Sequence, residues 1–192
     1  MSAKTQFQIA PLFYIALAVS LLLIPLKWVI AWFTAIGVHE LFHYIALMIC
    51  GLPVKKVEVR HFGVQMDTFP MSGWKEATCA AAGPCGSLLL VMLSSMFPRL
   101  ALCGAFHCLF NLLPIYPLDG SRILHGCIGN FRLGNLFLKM FETVALFALI
   151  LLCLWSNLKL ATGPIPLILC LLLMIRRFKI KIPCKDGNLA VQ

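Results

Sequence analysis

The sequence predicts an all-α polytopic membrane protein of about six transmembrane helices, with a short interfacial β-hairpin after the second. Three observations carry that expectation. Hydrophobic residues make up 61% of the chain and charged residues 12%, against roughly 45–50% and 25% in a soluble domain. Too little polar surface is left to coat a soluble globule of 192 residues, and a bilayer is the solvent that accepts such a surface. The apolar residues are also gathered into runs of membrane-crossing length. Lys and Arg fall between those runs and at the C-terminus, as in Arg176, Arg177, Lys179 and Lys181.

A polar start, Met1–Gln8, precedes the first run, about Ile9–Leu26. No small-residue cleavage site follows it and the next segment is apolar as well, which disfavours a signal peptide. Pro25 and Lys27 mark a turn into a second run, about Trp28–Cys50, which Gly51 and Pro53 end. Val54–Thr68 alternates loosely between polar and apolar, is rich in β-branched residues and has Gly63 in its middle, so it reads as a hairpin at the interface. A third run, about Ala77–Phe97, opens with the small-residue cluster AAAGPCGS. Pro98 and Arg99 separate it from a fourth, about Leu100–Leu113, which passes into the breaker-rich stretch NLLPIYPLDG, Asn111–Gly120. A polar, glycine-containing link runs to about Leu136, and two further spans cover about Phe137–Trp155 and Leu160–Ile175. The chain reads as a single membrane-embedded domain with a core of about 9–175 and a basic cytoplasmic tail, 176–192, with no internal repeat and no appended soluble domain.

Six spans put both termini on one side. On that side lie all the Lys and Arg except Lys27, Arg99 and Lys159, so the positive-inside rule makes it the cytoplasm. The net charge of +9 therefore belongs to leaflet anchoring. No basic face with interleaved aromatics speaks for nucleic acid. The nine cysteines are odd in number, form no C-x-x-C pair and sit mostly inside apolar runs, where they read as small packing residues.

The chemistry lies in the second run, where His39-Glu40-Leu41-Phe42-His43 is H-E-x-x-H. On an α-helix positions i and i+4 stand about 40° apart around the axis, so both imidazoles can meet one zinc ion. Glu40 projects about 100° from His39 and suits the catalytic base: zinc acidifies a water in such sites, and the carboxylate takes its proton as it attacks a carbonyl. A carboxylate and two imidazoles in an apolar span are costly unless they face a cavity or a metal. The plainer alternative has the three at the interface, bonded to one another. A catalytic zinc needs a third protein ligand. Glu58, Asp67, Glu76 and Asp186 fall in interfacial or soluble segments, which leaves Asp119 and Glu142, with His61, His107 and His125 as nitrogen candidates. Asp119 lies among breakers at the cytoplasmic end of the fourth span, the side on which the HELFH helix also ends. Glu142 is its main rival, or else a partner for Lys139 on the same helix face.

HELFH, then AAGPCGS, then NLLPIYPLDGSR, in that order and spacing, resemble the site-2 protease family of intramembrane zinc metalloproteases. The compact size, without an inserted PDZ or appended CBS domain, is similar to the small sporulation-type bacterial members. The resemblance implies that Asp119 is the third zinc ligand and that Asn111 lies near the scissile bond, where its amide could stabilise an oxyanion. It implies a multi-pass protein of a bacterial cell membrane that cuts single-span membrane proteins near the cytoplasmic face, in regulated intramembrane proteolysis, with a regulatory membrane partner. Three positions depart from the family pattern: Phe42 stands where a glycine is usual, Ser87 where many members carry Asn, and Ser121 where a second glycine is common.

Weaker features complete the reading. Gly83-Pro84 would admit another backbone at close range or serve ordinary helix packing. His107 is a core histidine or a donor behind the metal ligands. His61 and His125 read as interfacial, and Arg122 as a headgroup anchor. The hairpin offers a strand edge able to hold an unwound substrate by β-addition. Two other functions compete, an inactive zinc-binding relative that regulates a membrane protein and a transporter with an ion site. Intact Glu40 disfavours the first, and the lack of paired broken helices or a repeat disfavours the second.

Overall fold

Each of the six apolar runs becomes helical, and each polar link between them takes the structure its breakers and alternation allow. The structure, a computed structural model, describes residues 6–60, 63–69, 73–129, 132–160 and 165–179. In chain order these form β1 (Gln6–Ile9), α1 (Pro11–Leu23), α2 (Leu26–Ile49), β2 (Lys56–Arg60), β3 (Gly63–Asp67), α3 (Trp74–Met92), α4 (Pro98–Asn111), α5 (Asp119–Ile128), α6 (Arg132–Leu160) and α7 (Ile165–Lys179). They fall into two compact units, one drawn from residues 1–71 and 78–111 and the other from 72–77 and 112–189.

In the first unit α2 buries one narrow stripe. Val29, Ala31, Ala35, His39 and Leu47 are buried, and the four-residue steps from Ala31 carry the stripe gradually around the helix. Ala31 and Ala35 meet Leu90 of α3 and Cys103 of α4. Small residues let these backbones approach: a Cβ on Gly104 would stand 3.0 Å from the Ser87 carbonyl oxygen and from the Leu90 Cβ. At the far end of α2, Leu47 packs with Val54 and Cys79, and Val57 and Met66 of the strands lie against that cluster. The apolar side of the hairpin is thus seated beside the C-terminal turns of α2.

The expected hairpin forms, with Lys56 opposite Asp67 and Arg60 opposite Gly63. It belongs to a larger sheet than the sequence predicts. β1 pairs in parallel with β2, Gln6 opposite Lys56, giving the order β1-β2-β3 and leaving β3 at an edge. The four residues QFQI alternate, but a parallel partner fifty positions away leaves no local signal.

In the second unit α6 again buries a four-residue stripe, Gly134, Leu138, Glu142 and Leu146. The rest of its face is exposed and apolar, including Phe137, Met140, Val144, Phe147 and Leu152. The helix α5 falls where the sequence predicts a polar, glycine-containing link. It forms because Asp119 in the first turn and His125 in the last complement the helix dipole, and because its glycines allow close packing. A Cβ on Gly126 would lie 2.5 Å from the Ala77 nitrogen.

Among the described residues two helices, Leu26–Ile49 and the Leu133–Lys159 part of α6, are long and apolar enough to cross a bilayer. In the most apolar stretch of α6 only 17% of residues are buried, whereas the core helix of a soluble protein is covered on most sides. These exposed apolar faces are of the kind that a bilayer covers. The first expected span is shorter than the sequence predicts. Pro25 caps α2 and leaves α1 with 13 residues, about 20 Å of helix against a hydrocarbon core of about 30 Å.

Candidate metal centre

The first unit brings His39 and His43 together by three separate restraints. One helical turn places them on the same face of α2, with their Nε2 atoms 3.1 Å apart. Their other nitrogens are anchored on α3: His43 Nδ1 lies 2.7 Å from the Cys79 carbonyl and His39 Nδ1 lies 2.9 Å from Ser87 Oγ. A carbonyl only accepts, so His43 Nδ1 carries its proton and its Nε2 presents a lone pair. Ser87 can accept from His39 in the same way, which turns both Nε2 lone pairs to a common point. Two nitrogens on a tetrahedral zinc stand about 3.3 Å apart for bonds of about 2.0–2.1 Å, close to the observed spacing. The common point exists because position 83 has no side chain. A Cβ there would lie 2.2 Å from His43 Nε2 and 2.6 Å from His39 Nε2.

Glu40, half-buried, points elsewhere, as its 100° rotation requires. Its Oε1 lies 3.4 Å from the Val64 N–H on the edge strand β3. Gly63, at φ +138, starts that strand in a conformation side chains avoid, and a Cβ there would come within 3.5 Å of the same carboxylate oxygen. His107 on α4 meets His39 edge to face, with ring centroids 4.5 Å apart, and Trp32 on its other side. It is buried, and it backs the imidazole pair. Asn111, one turn further along α4, donates through Nδ2 to the His107 carbonyl at 3.0 Å. One of its two amide protons is therefore spent on its own helix.

In the second unit Asp119 is buried at the first turn of α5, where the helix dipole favours a carboxylate. Pro114 and Pro117 end α4 and turn the chain, and the turn folds back over α5: a Cβ on Gly120 would lie 2.2 Å from the Leu112 carbonyl oxygen. Arg122, expected as a headgroup anchor, is partly buried beside Asp119. Its Nη1 stands 3.9 Å from Asp119 Oδ1 and its Nε is buried without a hydrogen-bond partner. Glu142, expected to face Lys139 or the metal, is 4% exposed. Ser121 donates to its Oε1, and His125 Nε2 lies 3.4 Å from the same atom. His125, expected as interfacial, engages Glu142, which contacts two residues of α5 one turn apart. His61 lies outside the described residues. By donor type His39, His43 and Asp119 form a group able to hold a metal ion.

No protein-family model matches the chain, and no curated protein sequence matches it. A solved structure does. The chain superposes on the Site-2 Protease from Methanocaldococcus jannaschii with a TM-score of 0.62, over 93% of this chain and 91% of that one, at 22% identity. This chain has the site-2 protease fold. The match spans nearly its whole length, in agreement with the motifs HELFH, AAGPCGS and NLLPIYPLDG.

Within the site-2 protease fold the departures from the family pattern find partners. Phe42 fills the space that position 86 leaves open, since a Cβ on Gly86 would come within 2.6 Å of the Phe42 ring. Ser87 bonds the Nδ1 of His39. Ser121 donates to Glu142. None of these three links was legible in the sequence, because each joins residues on different helices.

Two stability predictions follow from this packing. Gly86→Ala should cost on the order of 1–3 kcal/mol by overpacking, and adding Phe42→Ala should recover part of that loss; additive losses in the melting temperature of the double variant would contradict the pairing. Glu142→Leu leaves Ser121 and His125 facing apolar atoms and should cost about 1–3 kcal/mol. Glu142→Gln, which keeps an acceptor for Ser121, should cost less in the same thermal denaturation.

Proposed function

We propose that the chain is an intramembrane zinc metalloprotease of site-2 type, with His39, His43 and Asp119 as metal ligands and Glu40 as the catalytic base. The observation that carries this reading is the anchored imidazole pair, whose Nε2 atoms face each other 3.1 Å apart over Gly83 with Glu40 on the adjoining face. The donor set of two imidazoles and a carboxylate suits zinc, and it leaves a fourth position open for chemistry. Zinc, when bound, supplies Lewis-acid polarisation of a carbonyl and acidifies water.

The residues of the chain do the rest. The Nδ1 anchors keep both imidazoles in the liganding tautomer. Glu40 accepts the proton of the attacking water and returns it to the leaving amine. Asn111 retains one amide proton that the His107 carbonyl does not use, and offers it to the developing oxyanion. The proposed substrate is a single-span membrane protein unwound near the cytoplasmic face, cut in regulated intramembrane proteolysis. Both termini of the protease lie in the cytoplasm, its six apolar runs are embedded in a bacterial cell membrane with the short α1 partly inserted, and a membrane partner regulates access. The edge of β3 supports strand addition as the way the unwound segment is held. The Val64 N–H points off that edge toward Glu40, so a strand paired there runs past the base.

Co-expression with a single-span substrate tests the base. Glu40→Gln should lower cleavage by about 10²–10⁴-fold while zinc content by mass spectrometry stays that of the natural chain; cleavage that persists refutes the assignment. Zinc content should fall in Asp119→Ala and hold in Glu142→Gln, which keeps an acceptor for Ser121, and the reverse result would make Glu142 the ligand. Proline at Val64 or Met66 should slow cleavage with zinc unchanged, and unaltered cleavage would sink strand addition.

A further inference from the structure

The second unit contains an open pocket of about 320 Å³, of mixed polar and apolar lining, that the proteolytic chemistry does not use. Glu76 at the start of α3, Tyr116 in the turn before α5, Arg122 and His125 on α5, and Asn135 on the first turns of α6 line it. Among the described residues Glu76, Tyr116 and Asn135 make no side-chain hydrogen bond or ion pair. Arg122 has only its long contact to Asp119, with a buried Nε left over. The Arg122 Nε is buried without a partner among the described residues and is the polar atom left for a ligand to satisfy; Glu76 and Tyr116 are half-buried and Asn135 stands exposed at the rim.

The chemistry of the lining narrows the class. Arg122 presents a planar fork of donors suited to phosphate oxygens. The Tyr116 phenol is a neutral donor beside it: burial pushes its pKa up, Arg122 pulls it down, and Glu142 and Glu76 push it up. Asn135 adds an amide, and His125 a ring nitrogen already committed to Glu142. Glu76 is the one carboxylate of the lining, so an anion alone would be repelled there while a ligand with a cationic arm would be held. The volume lies at the low end for small-molecule sites and suits a small zwitterion. Asn135 also sits where α6 becomes apolar. Leu136, Phe137 and Met140 follow it, each about 60% exposed, so a ligand with its polar end in the cavity has an apolar path for its chains.

We propose that this cavity binds the headgroup of an amine-bearing phospholipid, with the phosphate toward Arg122 and Tyr116 and the ammonium toward Glu76. A primary ammonium donates hydrogen bonds to Glu76, which a quaternary ammonium cannot do. The site therefore selects phosphatidylethanolamine over phosphatidylcholine.

Native mass spectrometry of the full chain in mild detergent tests this without any measure of cleavage, so its failure and that of the protease reading are separable. The probes are short-chain phosphatidylethanolamine, phosphatidylcholine of the same chains, free phosphoethanolamine and inorganic phosphate. Retention of the ethanolamine lipid should exceed that of the choline lipid by about tenfold, the worth of one charge-assisted hydrogen bond. Arg122→Gln should lower retention of both lipids by about tenfold or more. Glu76→Gln, at the exposed start of its helix, should abolish the preference and keeps the test open if the Arg122 variant fails to fold. Equal retention of the two lipids by the natural chain overturns the proposal, as does a preference that survives Glu76→Gln. Free phosphoethanolamine or phosphate bound as tightly as the lipid overturns the lipid source.

Discussion

Two imidazoles on one face of α2 must point their Nε2 atoms at the same place, and nearly every other feature of the first unit follows from that demand. A pair of histidines one turn apart does not converge unaided, because each ring rotates about two side-chain bonds. Convergence requires that the far nitrogen of each ring be held, and α3 supplies both holds, Ser87 Oγ and the Cys79 carbonyl. α3 can stand close enough to do so only because Gly83 presents no Cβ to the rings. That approach in turn sets the rest of the packing. Gly86 falls opposite Phe42, and Gly104 opposite Ser87 and Leu90, so the small residues line up along the surfaces that must meet.

The second unit solves a comparable problem for Asp119 with different means. A short helix held only by apolar contacts can rotate about its axis, and a rotation of one residue would turn the carboxylate by 100°. Glu142 prevents this. A buried carboxylate in an apolar helix is costly on its own, and here it engages two α5 residues, Ser121 and His125, spaced by one turn. The backbone of residues 112–113 closes over Gly120 from the other side. What stands as an expense in α6 is therefore what sets the aim of α5.

The legible part of this molecule is the part written in helical periodicity. H-E-x-x-H on an apolar run states both the helix and the shared face, and α2 follows within two residues of its expected start. The hairpin was legible from alternation and Gly63. β1 was not, since its register with Lys56 depends on a segment beyond α1 and α2. α5 was hidden by the glycines and prolines around it, although Asp119 at its start and His125 at its end are end signals for a helix. Within the site, Glu40, His39 and His43 were legible, and the role of Gly83 was only half so: close approach and ordinary packing fit its neighbours equally until the rings were in place. The closeness of Arg122 to Asp119 was not legible, because a lone arginine after an apolar stretch has the same sequence signature whether or not a carboxylate three residues back lies beside it.

The two imidazole anchors differ in how they are inherited. Ser87 holds His39 through a side chain, so a single codon change can delete the hold or exchange it for a carboxamide, which also hydrogen-bonds. Cys79 holds His43 through its backbone, which every residue type carries. Lineages of this fold are therefore free to drift at position 79, within the limits of its buried volume, without losing the tautomer of His43. Position 87 is restricted to a short list of side chains that can reach the ring. An engineer recoding the site would find one anchor portable with the helix and the other portable only with its residue.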